Sequence, residues 1–283
     1  SASFDKKFNP FLASSEADRQ AVDLTQTLLV GNDRAGKIVY KGIDGELREY
    51  NDTNYTYFGI ADVKVRYRKE KDRTVYRIKL RDDLVFSDGE PLNIDDVIFS
   101  IYAFCDTDYQ GDVSLGQKNI QGLLNYQANS SVAESLSEGQ VDRYLRKMPK
   151  ELQKWIDDQI IRKTLRNGME QSRENYEEAG FASAAEYFVA KYSRDPGKRN
   201  ETDLKKAYQA VVREYDERNY TLLAKADSGD ENAFDTAIRR EARKQLACSR
   251  QKEGKAKKVK NISGIRRLND YEMKIITDGY DKD

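Results

Sequence analysis

The chain contains no histidine among its 283 residues. Histidine is the general base of Ser-His-Asp and Cys-His catalytic systems and a common nitrogen ligand of zinc. Its absence therefore excludes these enzyme mechanisms and His-ligated metal sites. The two cysteines, Cys105 and Cys248, are too few for a four-cysteine metal site or a disulfide-rich miniprotein. We therefore expect no enzyme activity, no catalytic residue, no cofactor and no metal site.

Net charge and long apolar runs are missing as well. The 49 Lys and Arg residues balance the 49 Asp and Glu residues, so no net charge draws the chain towards nucleic acid or an anionic membrane. No run approaches the roughly 18 apolar residues of a membrane-spanning helix. The first residues, 1–7, are too polar for a signal peptide and begin without methionine, which is typical of a mature or trimmed end.

What the chain does contain is enough apolar and aromatic material for a folded core. Hydrophobic residues make up 38% of the sequence and aromatic residues 10%. A content of this size argues against simple disorder. We therefore expect a folded protein that binds or assembles and does not catalyse.

Charge and pattern change together along the chain and predict three sections. Residues 1–116 carry 16 basic and 21 acidic side chains, residues 117–260 carry 29 and 23, and residues 261–283 carry 4 and 5. We predict an α+β section, a helical section and a short return to strands. We expect these to be separate parts of the architecture.

The first section alternates helical and strand patterns. Apolar residues at helical spacing predict a helix over 17–29, and the residue before Pro10 favours extended backbone over 8–11. Period-two alternation predicts strands at 37–40, 47–50, 61–67 and 75–80, the last two forming a hairpin around 69–73. Asn93 is the predicted N-cap of a helix that begins at Ile94 and buries Ile101 and Cys105 on one stripe.

The spacing of apolar residues predicts helices in the middle section and a second hairpin at the end of the chain. The helices are expected over 136–146, 150–166, 182–192, 201–219 and 231–248, followed by a mobile basic loop over 249–260. The closing hairpin is expected from strands 262–268 and 271–276. The two cysteines fall at predicted helix ends, where either a disulfide or two buried free thiols fits.

Other candidate sites are better explained as structure. The pairs Asp82-Asp83 and Asp95-Asp96 are neighbours in sequence, so their carboxylates point in different directions and suit a turn and a helix start. The turns 42–45 and 227–230 lack a full set of calcium ligands, and Trp155 falls at core spacing. The basic run 252–260 has no interleaved aromatic residue, so we expect no nucleic-acid contact there.

Residues 75–100 carry the most specific signal. Their sequence, VYRIKLRDDLVFSDGEPLNIDDVIFS, closely resembles the signature LR-x-G-V-x-F-S-D-G-x-P-L-T-A-x-D-V-x-F-S of the family 5 extracellular solute-binding proteins. Asn9-Pro10 with Leu28-Leu29-Val30 resembles the opening of these receptors, and residues 262–275 resemble one of their hairpins. Asp83 and Asn93 depart from the glycine and threonine common in the family.

The resemblance implies a fold and a function. The implied fold is an α+β, partial periplasmic-binding-protein-like lobe, a mixed sheet with flanking helices, carrying a large all-helical insertion over about 117–260. The implied function is the substrate-binding component of an ABC importer, which captures an extracellular solute, most simply an oligopeptide, and delivers it to the permease subunits. Its family-based ligand contacts are Val30, Gly31 and Asn32, through backbone groups.

Location and completeness follow from the same resemblance. Such receptors are extracellular, either periplasmic or held at the cell surface by a lipid anchor that is absent from this chain, and they contact the membrane in no other way. They also continue into a second lobe, so the chain resembles an amino-terminal fragment. An alternative is an extracellular protein-interaction module built on the helical insertion, and a weaker one is a nucleic-acid binder using the basic run.

Overall fold

The computed structural model describes residues 8–13, 15–107, 109, 114–156, 177–180 and 233–280. The chain divides into two compact units. One combines Ser1–Glu134 with Gln251–Asp283, and the other is Ser135–Arg250. The first unit therefore contains two segments that lie far apart in sequence.

Antiparallel sheets organise the first unit, which confirms the predicted α+β class. A two-stranded ribbon pairs β1 with β2, and a four-stranded sheet has the order β3-β4-β6-β5. The strands are β1 (Glu46–Tyr50), β2 (Thr53–Tyr57), β3 (Ala61–Arg68), β4 (Arg73–Leu80), β5 (Ile265–Asn269) and β6 (Glu272–Asp278). Every pairing among the described strands is antiparallel, whereas a mixed sheet was expected. Hairpin connections are short and impose this direction on each sequential pair.

The hairpin of β3 and β4 confirms the prediction from alternation. A single 3-10 turn, Lys69–Lys71, connects the strands, and Asp72 closes it in the left-handed region at φ 44°. Aspartate tolerates this conformation better than most residues. The Tyr67 hydroxyl donates to Asp72 Oδ1 at 2.6 Å, which fastens the turn to its own strand.

Helix α2 (Ile94–Cys105) begins where the sequence predicts it. The Asn93 side chain accepts the Asp95 N–H at 2.8 Å, and the Asp96 carboxylate accepts the Asn93 N–H at 2.9 Å. This reciprocal capping box satisfies two N–H groups that a helix start leaves without partners. Ile101 and Cys105 are buried on the predicted stripe.

Strand β4 pairs on its second side with β6, so the two sequence segments of this unit share one sheet. The register places Ile78 opposite Met273 and Tyr76 opposite Ile275. Ile78 and Met273 belong to a buried core that also includes residues of α2. Its buried members are Ala61, Ile78, Leu80, Ile94, Ile101, Cys105, Ile120, Leu123, Ile262, Ile265 and Met273.

The amino-terminal predictions need correction. Helix α1 covers Glu16–Asp23, shorter than the expected 17–29. The Thr25 N–H and hydroxyl both donate to the Val22 carbonyl, which ends the helix. Residues 10–12 form a turn in place of extended chain because the Asn9 carbonyl accepts the N–H groups of the residues at positions 12 and 13.

Three further differences concern short elements. Residues 37–40 form a single bridge, Asn32 opposite Ile38, and no strand. Helix α3 (Leu123–Gln127) was not predicted, since it spans barely more than one turn. The chain over 129–131 also binds the basic segment that was expected to be mobile: the Ser131 N–H donates to the Lys257 carbonyl at 2.9 Å.

The described residues of the second unit are mostly helical, with turns at 177–180. Helix α4 (Glu138–Lys147) corresponds to the helix expected over 136–146 and starts at a capping box on Ser137, and residues 150–156 are helical. Arg239, on helix α5 (Ala233–Lys252), forms ion pairs with Glu138 and Asp142 of α4. Helix α5 continues past the predicted end at 248. The expected start of the basic loop at 249 was therefore wrong, because the helix ends at Lys252. The predicted helices over 182–192 and 201–219, and 157–166 of another, lie outside the described residues.

Replacement of Gly264 by alanine tests how closely the backbone at this residue packs against neighbouring backbone in the first unit. A Cβ there would lie 2.7 Å from the Ile276 carbonyl oxygen and 2.8 Å from that of Gln121. Both are backbone atoms, so the strands must separate. We expect Gly264→Ala to lower the free energy of unfolding by about 1–3 kcal/mol, measured by urea denaturation followed by circular dichroism.

Gly59→Ala is the matched control, because the nearest atom to its Cβ is the Gly42 Cα at 3.5 Å, an ordinary contact. Its urea midpoint should stay close to that of the wild type. Equal midpoints for the two variants would contradict the close approach at Gly264.

Candidate functional site

The residues expected to contact ligand, Val30, Gly31 and Asn32, follow α1 and enter a short bridge. Val30 and Gly31 are half-buried and Asn32 is exposed. The Val39 N–H donates to the Gly31 carbonyl at 2.9 Å, and the Asp33 N–H donates to the Lys37 carbonyl at 2.8 Å. These bonds fix the backbone on both sides of Asn32.

The geometry of this bridge leaves one stretch of backbone facing outwards. Asn32 lies directly opposite Ile38, between the two bonds made by its neighbours. In an antiparallel pair of this type, the residue between the bonds directs its own N–H and C=O to the other side. The Asn32 backbone therefore presents a donor and an acceptor away from Ile38.

The carboxylate of Asp33 holds the turn that follows Asn32. Its Oδ1 accepts the N–H groups of Ala35 and Lys37, each at 2.8 Å. Its Oδ2 accepts from Arg48 Nη1 at 2.6 Å, and the Asp33 side chain is only 6% exposed. This is an Asx turn reinforced by a charged donor, a strong form of hydrogen bond.

Arg48 connects this turn to strand β1 and to the chain before it. Its Nη2 donates to the Ile38 carbonyl at 2.6 Å and to Glu46 Oε1 at 2.7 Å. Glu46 Oε2 in turn accepts the N–H groups of Tyr40 and Lys41 at 2.9 and 3.2 Å. The planar guanidinium thus binds both carboxylates and the carbonyl groups of Lys37 and Ile38 in a single arrangement.

Hydrogen bonding to Arg48 shifts the titration of both carboxylates. The Arg48 guanidinium, followed by the Lys37 N–H, holds the pKa of Asp33 below its ordinary value. The Arg48 guanidinium also lowers the pKa of Glu46. Both groups stay ionised at neutral pH and are already satisfied, so neither is a general acid or base. The segment is built for position and not for proton transfer.

Aromatic side chains of β2 support the same turn from the ribbon. The Arg34 N–H donates to the Tyr57 hydroxyl at 3.3 Å, and the Arg34 guanidinium lies 4.3 Å from the centre of the Tyr55 ring. A cation over an aromatic face is attracted by the ring quadrupole. The candidate contact residues therefore rest on a braced loop.

The sequence did not predict this network, although it contains two signals of it. Asp33 followed by Gly36 is a turn signature in which the side chain binds backbone N–H groups. Glu46 and Arg48 lie two residues apart on a strand and so share one face. No pattern in the sequence indicates that the Asp33 turn contacts the Glu46 and Arg48 side chains.

The carboxylate pairs have the structural roles expected of them. Asp83 pairs with Arg81 at 2.6 Å, and Asp95 pairs with Arg267 at 3.0 Å, while Asp96 belongs to the capping box. No group of three or more Asp, Glu or Cys side chains is placed to hold a metal ion within the described ranges. Cys105 and Cys248 are both free thiols, the first buried and the second half-buried.

Comparison with known protein families gives a match to part of the chain. Residues 60–142 match the family described as bacterial extracellular solute-binding proteins, family 5 Middle. A search of curated proteins and a search of solved structures both find no match. The match covers less than a third of the chain, so it relates these residues, and not the whole chain, to solute-binding proteins. Over these residues the chain carries a family 5 sequence, which confirms the predicted resemblance to the amino-terminal portion of such receptors.

The match supports a coarse functional statement. It supports a solute-binding role in ABC import, with a solute as ligand, permease subunits as partners and a periplasmic or surface-associated location. Proteins of this family are generally not enzymes. In the described part of the chain, no helix combines the length and the apolar character needed to cross a membrane.

Substitution of Arg48 tests whether the network fixes the loop. We expect Arg48→Ala to lower the Tm by about 2–4 °C at pH 7 and to increase amide exchange over residues 33–39. Arg81→Ala is the control, because it removes an exposed pair with Asp83, and such pairs contribute little. A Tm loss in Arg48→Ala no larger than in the control would contradict the assignment.

The same network predicts a pH dependence. Carboxylates with lowered pKa values stabilise the fold above their ordinary pKa values, about 3.9 for Asp and 4.3 for Glu. This contribution is lost as the pH falls through the lowered values. The Tm difference between wild type and Arg48→Ala should therefore narrow below about pH 4, measured by thermal scans from pH 7 to pH 2. A Tm difference that stays constant over this pH range would contradict the proposed contribution of the two carboxylates.

Proposed function

We propose that this chain belongs to the substrate-binding component of an ABC importer and that its solute is an oligopeptide. The ligand is enclosed between this lobe and a second lobe, which close by a hinge and present it to the permease. The receptor acts outside the cytoplasmic membrane, in the periplasm or at the cell surface on a lipid anchor. The family match over residues 60–142 is the observation that carries the proposal.

The outward backbone at Asn32 supports the choice of a peptide. An extended peptide binds an exposed strand edge through main-chain hydrogen bonds, which do not depend on its side chains. Asn32 offers one donor and one acceptor there, and Val30 and Gly31 continue the same segment. Contacts of this kind suit a receptor that accepts peptides of varied sequence.

The bracing of the loop supports the same role. A loop that is ordered before binding loses less conformational entropy when the ligand arrives. Asp33 and Arg48 order this loop through hydrogen bonds of 2.6–2.8 Å. The proposed contact residues are therefore pre-organised.

The alternative function, a protein-interaction module built on the helical insertion, lacks a comparable observation. The insertion itself, over 117–260, remains a prediction. Of the described residues in the second unit, Met148 is the only large apolar side chain that is well exposed, at 40%. A docking surface on these helices would require a larger apolar patch.

Two substitutions at one position test the backbone contact. We expect Asn32→Pro to weaken the binding of a pool of two- to six-residue peptides at least tenfold, since proline removes the N–H and fixes φ. Asn32→Ala should bind like the wild type, because it keeps the backbone donor. Because two lobes enclose the ligand, we expect the chain alone to bind the pool weakly, so the isothermal titrations that compare the affinities use the pool at millimolar concentration.

Circular dichroism must show that both Asn32 variants retain the wild-type fold. Equal affinity of the two variants would overturn the proposed contact. Loss of affinity in Asn32→Ala alone would assign the contact to the side chain instead.

A further inference from the structure

The face of the four-stranded sheet opposite the core is strongly basic. It lines a concavity of about 980 Å³. We call it the cationic sheet face and define it by Lys64, Arg66, Arg77, Lys79, Arg266 and Lys274. The chain as a whole has no net charge, so this concentration does not follow from composition.

The strand register aligns four of these cations in one row. Lys64 of β3 lies opposite Arg77 of β4, Arg77 lies opposite Lys274 of β6, and Lys274 lies opposite Arg266 of β5. Each strand of the sheet thus contributes one positive charge to the same line. Like charges placed directly opposite destabilise a sheet, so this row opposes folding of the isolated unit.

Acidic side chains of the sheet neutralise little of this row. Arg77 pairs with Glu272 at 2.6 Å, and within the described residues no other member of the row forms an ion pair. Asp62 also borders the concavity, but its Oδ1 accepts the Ile43 N–H at 3.0 Å. Two carboxylates, Asp62 and Glu272, therefore lie against a larger number of cations, and most of the positive charge is left unbalanced on this surface.

The shape and the remaining lining residues indicate the class of partner. Between the cations lie Val75, Leu268 and Ile276, and none of the described residues that line the concavity is aromatic. Nucleic-acid strands are usually held by aromatic side chains that stack on bases, which this face does not provide. Membrane-binding surfaces project several apolar side chains outwards, whereas here Ile276 is 9% exposed and Leu268, at 42%, is the one large apolar lining residue that is well exposed.

We propose that the cationic sheet face is a docking surface for an acidic segment of a partner protein. Four strands spaced about 4.8 Å apart span about 14 Å, which accommodates a helix of about 10 Å diameter. Carboxylates of the partner neutralise the row, and its apolar side chains contact Val75 and Leu268. The proposal is independent of solute capture, since it uses none of residues 30–32.

Charge reversal on the row tests the proposal. The probe is a fluorescein-labelled 20-residue helical peptide with a leucine stripe flanked by glutamates, and fluorescence anisotropy measures its Kd. We expect Lys64→Glu/Lys274→Glu to weaken binding at least tenfold and to leave the Tm equal or higher, because opposite charges then face Arg77. A purely structural role for the row would not separate affinity from Tm in this way.

Lys118→Glu/Lys258→Glu is the matched control, since it makes the same charge change at two exposed lysines of the same unit that lie off this face. It should retain wild-type affinity. Wild-type binding should also weaken more than tenfold between 50 and 300 mM salt, as charge–charge attraction is screened. Asn32→Pro should bind the probe normally, which separates this site from solute capture.

Three results would overturn the proposal. The first is no binding of the probe at 50 mM salt, and the second is equal loss of affinity in the two charge-reversal variants. The third is tighter binding of a single-stranded dT20 or of vesicles containing one part anionic phosphatidylglycerol to three parts phosphatidylcholine, which would assign the face to nucleic acid or membrane.

Discussion

The pairing of β4 with β6 is the constraint on which the first unit depends. Arg77 and Glu272, which face each other diagonally across it, are 195 residues apart in sequence. Without β6, strand β4 would have one partner only, and Met273 would be missing from the core. A two-stranded hairpin is marginally stable alone, so the return of the chain to this sheet supports both the packing of α2 and the cationic sheet face.

The elements best predicted from the sequence are those whose signals are local. The β3–β4 hairpin follows from period-two alternation around a charged turn, and α2 follows from Asn93, Asp96 and an apolar stripe. Helix α1 was overextended because Leu24 and Leu28 continue its apolar spacing, yet they are 88% and 68% exposed. Periodicity indicates that a helix would have an apolar face, but it does not indicate whether other residues pack against that face.

The candidate site shows the same division. The segment from Val30 to Asn32 came from resemblance and not from chemistry, because backbone contacts leave no residue-type signal. The network of Asp33 and Arg48 depends on a turn meeting a strand 15 residues later, and the cationic row depends on the register of four strands. Such contacts depend on the tertiary fold. The net charge of zero does not reveal the cationic row, because acidic residues elsewhere in the chain balance it.

The separation of β4 from its partner has a consequence for synthesis on the ribosome. At about 5–20 residues per second, the interval between the appearance of β4 and that of β6 is on the order of 10–40 s. During this time one edge of β4 is unpaired, and unpaired edges recruit strands from other chains. Arg77 and Lys79 lie on the cationic sheet face of β4. Charged residues in a strand discourage such pairing. The charges that strain the finished sheet would then protect the nascent chain from aggregation.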